Sequence, residues 1–226
     1  MKKNKHFPKG LSLMEMLMVV FIILLVLSIG GNTYRDQRKH VIFNDSVAKI
    51  SNMIKDARNY SLTSRSIYDD ECQPVGEEVY IPEQGYGVFI SRSNTLGQSR
   101  VVLFANTIAT PGTTEADQYN EVSDPCNSDF IEEEFIVPQE VEFVSLAIDK
   151  DEPPTPINLV APNTAVIIFR PPMADATLAV NNTFIPTVNH LNDLYMRFKR
   201  PDAAANDVGQ YIHFSKIAGF PEIERN

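Results

Sequence analysis

From Leu11 to Ile29 the chain runs through 19 residues that are apolar or small except for one ionisable side chain, Glu15. As a helix rising about 1.5 Å per residue, this stretch covers roughly 28 Å, close to the ~30 Å hydrocarbon thickness of a bilayer. The run predicts a single membrane-spanning segment. Lys2, Lys3, Lys5 and Lys9 precede it without any acid, which orients the N-terminus to the cytoplasm and the C-terminus outside, in the cytoplasmic (inner) membrane. Glu15 does not suit that setting. A carboxylate at the bilayer centre costs roughly 2.5 to 3.5 kcal/mol, so it requires a partner or a function.

Three readings compete for this stretch. A secretory signal peptide would be cut after the apolar run, and "LSIGGN" offers the small residues needed, but the run is longer than a signal core. A plain anchor fits the length and the basic leader and leaves Glu15 without a reason. Cleavage between Gly10 and Leu11 accounts for everything: it removes the leader, creates an amine at Leu11 and leaves Glu15 four residues later. One helical turn lets amine and carboxylate meet within a helix, and staggered neighbours can form the pair between subunits.

Gly10, Leu13 and Glu15, with Ser12 in place of Thr and Leu11 in place of the usual Phe or Met, resemble the opening of the type IV pilin and pseudopilin superfamily. The resemblance implies a prepilin peptidase acting at Lys9, Gly10 and Leu11, N-methylation of Leu11, and filament assembly through Leu11, Leu13 and Glu15. It also implies a fold in which a long N-terminal helix packs against an antiparallel β-sheet head. Expected partners are other pilin or pseudopilin subunits, the prepilin peptidase, the inner-membrane assembly platform and the lipid bilayer.

No Pro occurs between Leu11 and Tyr60, and Phe43, Val47, Ile50, Ile54, Ala57 and Ser61 recur at spacings of 4, 3, 4, 3 and 4. These positions describe one stripe of a helix reaching to about Ser66. Gly30 and Gly31 interrupt it, each weakening a helix by about 1 kcal/mol relative to Ala, and are the expected soft point; the alternative is that the helix ends there. Ala57, Arg58 and Arg65 in "IKDARNYSLTSRS" resemble the helix end of H-type minor pseudopilins of type II secretion and their T-type minor pilin relatives. The bland reading of these arginines is that they are solvated.

Beyond Tyr68 the composition changes: 13 of the 15 prolines lie between Glu71 and Asp202, among short β-prone runs. Residues 78–81, 86–90, 100–105, 133–137, 141–148, 164–170, 178–185, 194–200 and 210–216 are the candidate strands. The expected fold class is α+β, organised as a leader (1–10), a transmembrane and polymerisation helix (11–31), an amphipathic helix (32–66) and an extracytoplasmic β-rich head (67–226). Cys72 and Cys126, in no metal-spaced cluster, are a candidate disulfide if the head leaves the cytosol, or else two unrelated thiols. The long polar connection from Asn106 to Asp129 and the 149–156 turn are candidate contact loops.

Without its first ten residues, which hold four lysines, a chain of formal charge −9 carries −13. This acidity argues against nucleic acid as a partner. His6, His40, His190 and His213 lie in no HExxH, and neither GxSxG nor a phosphate-cradling Gly loop occurs, so no enzyme is expected. No cofactor is expected either; Asp69 to Glu71, Asp117 with Glu121 and Asp124, and Glu132 to Glu134 could ligate Ca²⁺ but lack EF-hand spacing. The leading expectation is a minor structural subunit of a type IV pilus or type II secretion pseudopilus. Against it stand a bitopic protein with an extracytoplasmic β-rich ligand-binding or sensor domain, and a secreted β-domain.

Overall fold

The computed structural model describes residues 13–68, 79–82, 84–92, 99–107, 119, 129–149, 156–157, 164–173, 175–180, 183–184, 193–203, 209–215 and 220–225. The chain is α+β. One helix, α1 (Leu13–Leu62), precedes β1 (Ile67–Tyr68), β2 (Val79–Tyr80), β3 (Tyr86–Arg92), β4 (Ser99–Ala105), β5 (Phe130–Ile136), β6 (Glu142–Asp149) and β7 (Pro156–Ile157). Then come β8 (Thr164–Arg170), β9 (Asp175–Val180), β10 (Thr183–Phe184), β11 (Asp193–Lys199), β12 (Gln210–Ser215) and β13 (Pro221–Arg225). The chain divides into two compact units, Met1–Val41 and Ile42–Asn226, so the division falls inside α1.

The head forms two antiparallel sheets and a ribbon, β1-β2, rather than one sheet. One sheet is ordered β10-β9-β8-β3-β4-β5 and the other β13-β12-β11-β6-β7. The switch between them is local. After β5 the Val137 amide donates to Ser99 O, and the Val141 amide closes a turn on Pro138 O, sending the chain into β6 of the second sheet.

The sequence stripe is the inner face of α1. Phe43, Val47, Ile50, Ile54 and Ala57 are buried in one cluster with Val88, Ile90, Val101, Leu103, Ile167 and Phe169 of the first sheet and Phe143, Met196, Phe198, Ile212 and Phe214 of the second. A core shared by a helix and two sheets explains the strand patterns. β12 is buried at alternate positions, whereas the interior of β8 is buried throughout, as a strand covered on both faces must be. The outer face of the first sheet has its own cluster of Phe89, Val102, Phe104, Val166 and Ile168, against which Tyr119 packs.

At the end of α1 the Arg65 amide donates to Tyr60 O and the Ser64 amide to Ser61 O, with Ser64 left-handed at φ 47°. This is a Schellman stop with serine where glycine is usual.

The expected single-pass location in the inner membrane is corrected here. Among the described residues no helix is long and apolar enough to cross a membrane. The unbroken run of large apolar side chains in α1 lasts only from Met16 to Leu27, roughly 18 Å of helix against about 30 Å of hydrocarbon; Glu15 bounds it on one side and Ser28 with the Gly pair on the other.

Candidate assembly surface

Every side chain from Leu13 to Leu27 is exposed, from 48% at Leu25 to 80% at Leu13. These residues occupy all faces of α1, so the surface is a sleeve rather than a stripe. Monomeric proteins rarely present contiguous apolar area on this scale without a partner. Leu13 opens the described helix, and Glu15 is the acid of its first turn, where the helix dipole favours a carboxylate. Gly30 and Gly31 lie inside α1, so the helix does not end at the pair. Past them the surface turns polar, with exposed Arg35, Asp36, Arg38 and His40.

Lys9, Gly10, Leu11, Cys72 and Cys126 lie outside the described residues, as do Asp69 to Glu71, Asp117, Glu121, Asp124 and residues 150–155. Of the connection from Asn106 to Asp129, both ends are anchored. The Asn106 amide donates to Gly85 O at 2.9 Å, and the Thr107 amide donates to Asp129 Oδ1 at 3.1 Å. The Tyr119 ring packs at a tilt against two others, 4.7 Å from Phe89 and 4.9 Å from Phe104 between centroids.

The acidic run on β5 is occupied by cations. Glu132 meets Arg65 at 3.3 Å, Glu133 meets Lys49 at 2.8 Å and Glu134 meets Arg100 at 3.7 Å. Three carboxylates facing three separate cations do not converge on one ion. Nor are the two arginines of the helix end merely solvated: Arg58 lies 4.2 Å over the Phe220 ring and Arg65 4.1 Å over Tyr60.

A grouping that the sequence does not announce joins His213, Glu222 and Glu224. It is assembled by strand register, and only the pairing of β12 with β13 reveals it. No family model, curated protein or solved structure matches this chain.

Proposed function

We propose that the chain is a minor structural subunit of a filament of the type IV pilus or type II secretion pseudopilus class, held together through the first half of α1. The observation that carries this reading is the apolar sleeve from Leu13 to Leu27 with Glu15 as its single charge. A helix that is apolar all round must be enclosed, and the centre of a bundle of identical helices encloses every face. Prepilin peptidase cleavage after Gly10 would supply the counter-charge, an amine at Leu11 that pairs with Glu15 of a neighbour. Removing one member of such a pair leaves a buried charge, which costs roughly 3 to 5 kcal/mol. That cost makes the pair a register device. The β-rich head then forms the filament's outer surface.

The test is co-expression with a prepilin peptidase, followed by intact mass and N-terminal sequencing. The expected product begins at Leu11, with or without a methyl on its amine. Glu15→Leu should be cleaved equally well and yet fail to enter filaments. A chain still beginning at Met1, or one cut near Gly30, would overturn the reading.

A further inference from the structure

The register of β11, β12 and β13 builds a small constellation on the outer face of the second sheet. Tyr195 pairs with His213 and His213 with Glu222, while Tyr211 pairs with Glu224. Neighbouring positions Ile212 and Phe214 point into the core, which sets His213 on the opposite face, together with the residues directly across from it. Cross-strand neighbours on one face stand about 5 Å apart at Cβ and diagonal ones about 7 to 8 Å. Both glutamates are therefore within side-chain reach of the imidazole.

Three features make this more than an exposed acidic pair. The Tyr195 ring lies flat on the imidazole, 4.4 Å between centroids and 3° between planes, so the ring's orientation is set before any ligand arrives. His213 Nδ1 and Glu224 Oε1 are hydrogen-bonded at 3.1 Å, and a cation that replaced this contact would need little movement, since two donors about 2.0 to 2.1 Å from a tetrahedral zinc stand roughly 3.3 Å apart. The third ligand atom, from Glu222, keeps the whole set within 4.8 Å, and its exposed side chain can close the remainder by torsion. Glu222 and Glu224 also present like charges two residues apart on one strand face, an arrangement that a cation relieves.

The geometry points to a zinc-class divalent cation site formed by Nδ1 of His213 and the carboxylates of Glu222 and Glu224. An imidazole with two carboxylates suits Zn²⁺ or Co²⁺, whereas Ca²⁺ selects oxygen donors alone. Three protein ligands leave a fourth tetrahedral position for water or an external donor. Because β13 is the outer strand of its sheet, that position opens to the surroundings, and the cation would tie the last strand to β12.

The full chain, held in a non-ionic detergent, is titrated with zinc chloride against a chromophoric chelator, and with cobalt(II) to read coordination from its visible bands. The expected result is one zinc per chain, tetrahedral cobalt bands, and no displacement by millimolar calcium. His213→Gln should weaken binding on the order of 100-fold, at the upper end of what even outer-sphere changes cost a metal site. Glu222→Gln/Glu224→Gln, two isosteric changes on an exposed strand, should do the same without unfolding the head. His40→Gln on α1 should bind like the parent. Absence of zinc binding, or undiminished binding by His213→Gln, overturns the site.

Discussion

The Ser61 hydroxyl donates to the carbonyl of Phe169 at 2.5 Å across 108 residues of chain, while accepting from the Tyr86 amide at 3.0 Å. Tyr86 and Phe169 are register partners in β3 and β8, so the end of α1 places a hydroxyl between two strand groups. Ser61→Ala would remove the buried hydroxyl that serves both groups. We expect a loss of about 2 kcal/mol, read as a lower urea midpoint at constant slope. A loss under about 0.5 kcal/mol would show that the bridge is dispensable.

Gly85 lies just before β3 with φ +87°, and a Cβ there would come 1.9 Å from the Phe169 carbonyl oxygen. Neither the backbone angle nor a strand carbonyl can yield cheaply. Gly85→Ala should destabilise the head by about 3 kcal/mol or more, and a thermal midpoint within a few degrees of the parent would contradict this.

Ser64 occupies the left-handed position of the helix stop at φ 47°, a conformation that costs an L-residue about 1 to 2 kcal/mol. Ser64→Gly should therefore stabilise the protein, by about 0.5 to 1 kcal/mol after glycine's larger entropy loss on folding. Chemical denaturation decides the sign.

Two ion pairs on β5 should behave differently. The Glu132 side chain is 13% exposed beside Arg65, whose guanidinium also covers Tyr60; the Lys49–Glu133 partners are 43% and 42% exposed. A double-mutant cycle on Lys49 and Glu133 should return under about 1 kcal/mol and fade with salt. Arg65→Lys should not restore what Arg65→Ala loses, because an ammonium neither forks to a carboxylate nor lies flat on a ring.

Gly30→Ala/Gly31→Ala should raise the helical stability of α1 by about 1 kcal/mol per site. If a soft point there serves filament entry, the same variant should assemble more slowly in a filament assay, and unchanged assembly would remove that role from the pair.

The stripe of α1 was legible because burial on one helical face writes itself at spacings of 3 and 4: all six residues from Phe43 to Ser61 are buried. β8 was legible to the residue, since a strand covered on both faces reads as an unbroken apolar run. Residues 178–185 read as one strand, yet β9 ends at Val180 and β10 begins at Thr183, paired antiparallel. The two asparagines of the sequence at 181 and 182 are a residue type of high turn tendency inside an otherwise β-prone run. β13 escaped notice because "PEIER" is short, charged and opened by Pro. The division into two sheets was not legible, because alternation marks a strand but not its partner. For the same reason nothing along the chain joined His213 to Glu222 and Glu224, which meet only through pairing. The sleeve on α1 was visible from composition alone.

The separation between Ser61 and its acceptor Phe169 has a temporal side. A ribosome adding 5 to 20 residues per second takes about 5 to 20 s to travel from one to the other, and longer still to reach Phe214, which closes the same core. Throughout that interval the helix is already made, and β3 and β4 follow it, while the later core residues Ile167, Met196, Phe198, Ile212 and Phe214 that complete the cover of its stripe are not yet made. The stripe of α1 therefore stays only partly covered until the last strands emerge, which is the window in which any transient cover would act on the newborn chain.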